Sequence, residues 1–159
     1  MYVLFFFQAE DGIRALVRSR GLGDVYKRQV FVSVRDADKP RVEVVAEELL
    51  RRGYSMVATA GTCDYLRSRG FPCERINKVL DGRPHIGDAI KNGEIVFIIN
   101  TTEGKQAIRE SNEIRREAVH RRVTYYTTLN GAMATCEALD HIDEVEVHSL
   151  QELHQEAHA

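Results

Sequence analysis

From Val30 onward the chain alternates short apolar runs with amphipathic stretches of helical period, and this alternation limits the available folds more than any other feature. Residues 30–34 (VFVSV), 54–58 (YSMVA) and 94–99 (EIVFII) are too short for buried helices and rich in branched and aromatic side chains, so they read as strands. Residues 38–52 put Val42, Val45, Ala46, Leu49 and Leu50 on one stripe, and Gly53 ends that helix. Further helices are expected over 61–68 (stopped at Gly70), 85–91, 103–120 and 129–139, with short strands at 73–76 and 123–125. A last strand at 144–147 and a closing helix over 149–158, N-capped by Ser149, complete the pattern. Strands that alternate with helices of this length imply an α/β fold, with a mainly parallel sheet covered on both faces.

Composition narrows the function. The 159 residues carry 22 basic and 24 acidic side chains, a net charge of −2 with histidine neutral. That balance argues against a general nucleic-acid binder. No run of 18 apolar residues is present, so no membrane partner is expected. Residues 2–7 are apolar but lack a basic start and a small-residue cleavage site, so they are not read as a secretory signal. Cys63, Cys73 and Cys136 form no CxxC pair and are expected to be buried free thiols in a reducing, cytoplasmic setting. His154 and His158 stand four apart on the expected last helix. With no third ligand beside them they are read as terminal decoration, and no metal site is expected.

Residues 1–29 show neither period. Residues 8–14 (QAEDGIR) and 19–29 (SRGLGDVYKRQ) resemble two translated sequencing-library adapters in one reading frame, separated by a gap of index size. Ala15 departs from the first adapter, whose next codon gives Asp. The segment is therefore read as non-native and disordered, fused to a truncated gene, and residues 30–159 as one domain. Without it the chain carries 17 basic and 21 acidic residues, a net charge of −4.

In parallel α/β folds, ligands bind beyond the carboxyl ends of the strands. The segments there are 33–39 (SVRDADK), 59–62 (TAGT), Asn77–Lys78 and 100–102 (NTT), and they are expected to converge on one rim. Their chemistry suits a phosphate. The helix that opens at Gly61 would aim backbone N–H groups and a positive dipole end outward. Gly61 allows close backbone approach, Thr59 and Thr62 offer hydroxyls, and Lys39 and Lys78 add charge. No nucleophile with its base, no GxGxxG and no Walker A pattern occurs. The arginines at 115, 116, 121 and 122 are interleaved with Glu110, Glu113 and Glu117, which reads as a solvated helix face. Taken together, the residues describe a phosphate-ligand binding domain without catalytic residues.

The stretches 77–79 (NKV), 81–86 (DGRPHI), 90–93 (IKNG), 98–102 (IINTT) and 127–131 (TTLNG) closely resemble, in order, the C-terminal allosteric domain of carbamoyl-phosphate synthase large subunits. The resemblance implies a Rossmann-like, methylglyoxal-synthase-like three-layer sandwich that binds UMP or IMP as effector. Carried over by motif, Lys39, Thr59, Gly61, Thr62 and Lys78 would hold the nucleotide phosphate. Ser33, Asn77, Asn100, Thr101 and Thr102 would line the base and ribose side. Tyr125 and Thr127 match positions on the ornithine side of enteric members, although Tyr126 stands where those carry an acidic residue. The resemblance also implies a parent ligase that makes carbamoyl phosphate from glutamine and bicarbonate for pyrimidine and arginine synthesis. That parent uses ATP with Mg²⁺ or Mn²⁺ and K⁺, and it pairs with a glutaminase small subunit. Its ATP-grasp synthetase domains are outside these residues, so the fragment is expected to be inert and to need no cofactor. Loss of the neighbouring domain is expected to bare an apolar docking face.

The competing reading is methylglyoxal synthase, an enzyme of the same fold that acts on dihydroxyacetone phosphate. Its carboxylate base would fall at Arg83, and a guanidinium stays protonated near neutral pH. The loop after Ile99 (NTTEG) carries neither His nor Asp.

Overall fold

In a computed structural model of the chain, the described residues are 29–101 and 103–138. Residues 1–28 of the adapter-like segment, the expected strand at 144–147, the helix over 149–158 and the His154/His158 pair lie outside them. Five strands form one parallel sheet: β1 (Gln29–Ser33), β2 (Ser55–Ala58), β3 (Glu74–Arg75), β4 (Ile95–Asn100) and β5 (Thr124–Tyr126), in the order β3-β2-β1-β4-β5. The helices are α1 (Lys39–Arg51), α2 (Ala60–Ser68), α3 (Ile86–Lys91), α4 (Lys105–His120) and α5 (Leu129–Ala138). Short 3₁₀ turns at Asp36–Asp38 and Val79–Asp81 precede α1 and α3.

Strand periodicity divides the core in two. Val30, Val32, Met56, Ala58, Phe97 and Ile99 face one side and pack with α1, α2 and α5. Phe31, Val57 and Ile98 face the other and pack with α3 and α4, joined by Ile95, which lies before a register shift between β1 and β4 that breaks the alternation. The α/β sandwich expected from the alternation is the architecture found. Its boundaries moved slightly. β1 starts at Gln29 and ends at Ser33, because Gln29 pairs with Ser55 and Ile95. β3 shrinks to two exposed residues at the sheet edge. The fourth helix starts at Lys105, because Gly104 takes φ +88°, a left-handed turn that suits glycine.

Cys63, Cys73 and Cys136 are buried and form no disulfide, as the sequence suggested. Burial and the neighbouring Cys63 push the Cys73 thiol up to about 12. No helix among the described residues is long and apolar enough to cross a membrane, and no cluster of three or more metal-ligating side chains occurs among them. Val44, Leu80, Ile108 and Val119 are exposed large apolar side chains.

The strand order decides where a ligand can sit. From β1 the chain winds outward through β2 to β3, then crosses back to lay β4 on the other side of β1. The loops after β1 and β4 therefore leave in opposite directions and open a crevice between them.

Candidate functional site

A cleft of about 610 Å³ lies at that crevice, a size ordinary for small-molecule sites. The loops after β1, β2 and β4 wall it, together with α4 and the loop that precedes α3.

Its floor is a hydroxyl relay between strands. Thr59 is the N-cap residue of α2, but its side chain makes no capping bond. The hydroxyl turns inward instead, 3.3 Å from Ser33 Oγ and 3.4 Å from Thr62 Oγ1. Thr62 Oγ1 accepts from the Val34 N–H at 3.1 Å, so the first turn of α2 is fastened to the loop after β1. Cys63 N–H is the first in α2 bonded to the cap, donating to Thr59 O at 2.8 Å. The earlier N–H groups of this turn have no partner within the helix. The other loop is tied down similarly. Thr101 N–H donates to Ser33 O at 2.9 Å, and Arg35 N–H donates to Thr101 Oγ1 at 3.2 Å. Asn100 is buried and donates through Nδ2 to Ser111 Oγ (3.1 Å) and to the Tyr125 hydroxyl (2.7 Å).

The charges are arranged less simply than the sequence suggested. Lys39 opens α1, and its Nζ lies 3.8 Å from where a Cβ on Gly61 would stand. Lys39 therefore hangs over the N-terminus of α2, 2.7 Å from Asp36. Lys78 faces the cleft from the opposite loop and pairs with Glu110 of α4 at 3.0 Å. Arg35 is held by the buried Asp38 at 2.8 Å, and its guanidinium keeps that carboxyl below the usual carboxylate value. Among the described lining residues, three cations (Arg35, Lys39, Lys78) stand with four carboxylates (Asp36, Asp81, Glu103, Glu110).

The structure thus brings Ser33, Lys39, Thr59, Gly61, Thr62, Lys78, Asn100 and Thr101 to one cleft. Asn77 is not among the residues that line this cleft, although its neighbour Lys78 is. The Asn77 carbonyl accepts from Ile86 N–H at 3.0 Å, and its amide reaches back to Gly82 O at 3.5 Å, closing the 77–85 loop on itself. Thr102 lies outside the described residues. Tyr125 meets the cleft only through Asn100, and Thr127 is exposed beyond β5. Glu110 departs from the solvated face that the charge pattern predicts: it lines the cleft, while Glu113 is exposed. Ser111, Ala107 and Ile114 also line the cleft and went unnoticed in the sequence. The spacing of 107, 110, 111 and 114 marks one face of α4, and an apolar or small residue at three of the four was the available sign.

These elements define a class: a doubly wound α/β domain with a polar, charge-lined cleft at its topological switch point. The profile of the MGS-like domain family matches residues 41–127, and the chain belongs to that family. It is similar to proteins named carbamoyl phosphate synthase large chain. The relative from Xanthomonas axonopodis pv. citri (strain 306) is 56% identical over 131 residues, 82% of this chain and 12% of the relative. The one from Xylella fastidiosa (strain Temecula1) is 53% identical over 145 residues, 89% of this chain and 13% of the relative. The one from Pseudomonas aeruginosa is 48% identical over 124 residues, 78% of this chain and 12% of the relative. The chain therefore spans about one eighth of the length of the curated relatives it matches.

Proposed function

We propose that the chain is the nucleotide-monophosphate-binding regulatory domain of a carbamoyl-phosphate synthase large chain, taking UMP, IMP or both. One observation carries this reading: the Lys39 ammonium sits over the N-terminus of α2. A cation beside the positive end of a helix dipole is an unfavourable arrangement. An anion held between them turns the repulsion into two attractions. The hydroxyls of Ser33, Thr59 and Thr62 lie beside that position, and Lys78 faces it. Asn100, Thr101 and Ser111 supply polar groups on the β4 side for the remainder of a nucleotide.

In this reading the domain performs no chemistry. Synthesis of carbamoyl phosphate from glutamine and bicarbonate, with ATP, Mg²⁺ or Mn²⁺ and K⁺, belongs to synthetase domains and a glutaminase subunit outside this chain. The setting is the cytoplasm, and the product serves pyrimidine and arginine synthesis. The effector acts by linkage: it binds one domain arrangement better than another, a coupling typically of about 1–3 kcal/mol. Ornithine would act near Tyr125 and Thr127, and the Asn100–Tyr125 bond would join its side to the nucleotide cleft.

Calorimetric titration with UMP, IMP and ornithine tests the reading. At least one nucleotide should bind, and Lys78→Ala should weaken it by about tenfold or more, the worth of a charge-assisted contact. Dihydroxyacetone phosphate should yield no methylglyoxal above blank, because the exposed Arg83 offers no base. Methylglyoxal production, or nucleotide affinity indifferent to Lys78, would sink the proposal.

A further inference from the structure

The charge balance of the cleft is at odds with simple anion capture, since carboxylates outnumber cations among its described lining residues. Each cleft lysine is already matched to one. The two pairs differ in shelter. Asp36 beside Lys39 is 93% exposed, where solvent and salt screen the pair to little value. Glu110 beside Lys78 is 16% exposed and stands on the cleft wall, where the pair is much less screened. A ligand phosphate that reaches for Lys78 therefore meets a resident carboxylate on the same ammonium.

We propose that Glu110 is an internal competitor for Lys78, a built-in anion that the ligand phosphate displaces and that sets how strongly charged a ligand must be to bind. The inference rests on the phosphate-holding reading above and deepens it. A phosphate monoester carries close to two charges near neutral pH, so it outbids a single carboxylate for Lys78. A neutral nucleoside cannot do so, and a singly charged anion gains nothing from the exchange. The pair also bridges two elements: Lys78 opens the Val79–Asp81 turn, and Glu110 belongs to α4. Exchange of partner at Lys78 thus loosens the 77–85 loop from α4 as the anion seats, and ligand charge becomes a change in how two surface elements are joined.

The test compares wild type, Glu110→Gln and Glu113→Gln by calorimetry with inorganic phosphate and with UMP, each titrated at constant ionic strength and pH. Gln keeps the shape of Glu and removes its charge, and a thermal melt checks that each variant folds. Glu113 is exposed on the same helix, so its variant reports the general field of one lost negative charge. Glu110→Gln should bind both anions about tenfold tighter, the scale of a close charge pair's coupling, with Glu113→Gln moving affinity much less. Unchanged or weaker binding to Glu110→Gln, or an equal gain from Glu113→Gln, overturns the inference. UMP bound equally by wild type and Glu110→Gln overturns it while the nucleotide reading stands. Tighter phosphate without any UMP binding keeps it and removes the nucleotide reading. Silence of both anions on every protein removes both.

Discussion

Asp38 shows how one buried carboxylate can order a cleft that it does not line. It is 7% exposed, and it accepts from Arg35 Nε and from the Thr101 hydroxyl. The Arg35 hydrogen bond, opposed by burial and then aided by Thr101, holds its pKa below the ordinary 3.8. The loops after β1 and β4 thus share one anchor. A carboxyl whose pKa is lowered on folding lends stability at every pH above its unfolded value and loses it as pH falls through the folded value. Urea melts of the wild type should therefore lose stability from about pH 4 downward, with Asp38 contributing to the slope. Asp38→Asn should be less stable at neutral pH and flatter on the acid limb. A variant whose acid limb matches wild type would show that Asp38 titrates alike in both states. Sequence could place Asp38 in a strand-end segment, but not say that it faced Arg35. That depends on the 3₁₀ turn over Asp36–Asp38, which no periodicity announces.

At the scale of elements, β4 carries the most structure and was the easiest to read. Phe97 is fully buried, with Tyr54 and Tyr126 ring centroids at 6.0 and 5.9 Å in edge-on contact. It joins α1's side of the sheet to β5. Phe97→Ala should cost about 3–5 kcal/mol in urea unfolding while far-UV spectra stay α/β; a loss below about 1 kcal/mol would mean that the cavity collapses freely. Apolar runs such as 94–99 were legible because hydrophobic pattern dictates both burial and pairing. The pattern also marks the edge strands, but β3 pairs only through Glu74 and Arg75, both exposed, while the flanking Cys73 and Ile76 pack toward the two cores. Pattern also misjudged α4. Charges spread along that helix look solvated in one dimension, yet the helix passes the mouth of the cleft and turns Glu110 inward while Glu113 stays in water. Lys39, Thr59, Gly61, Thr62 and Lys78 share one cleft because strand-end position is a topological property that alternation reveals. Asn77 shows the limit of that rule. A strand end predicts the rim, but the Asn77–His85 bridge closed the loop before its side chain reached it.

At the scale of the molecule, the cleft is a sum of parts that exist together only in the folded chain. It takes residues from β1 and β4, from the starts of α1 and α2, from the loop before α3 and from the inner face of α4. No fragment of this set offers a site, so a ligand that fits it binds the native state and has nothing to hold in the unfolded one. Binding must then raise the unfolding free energy by mass action, about 2.7 kcal/mol at a hundredfold excess over Kd. At about 2–8 °C per kcal/mol for domains near this size, that raises Tm by about 5–20 °C. Thermal melts with saturating UMP or IMP should show the rise in wild type and lose most of it in Lys78→Ala. Phe97→Ala separates site from scaffold: it should melt lower throughout yet gain a comparable increment from ligand, because its cavity lies on the α1 side of the sheet and leaves the cleft lining intact. A nucleotide that binds in calorimetry without moving Tm would have to bind folded and unfolded chains alike. Such contact would be nonspecific, and the anion would then owe nothing to the convergence of β1, β2 and β4 that the doubly wound sheet creates.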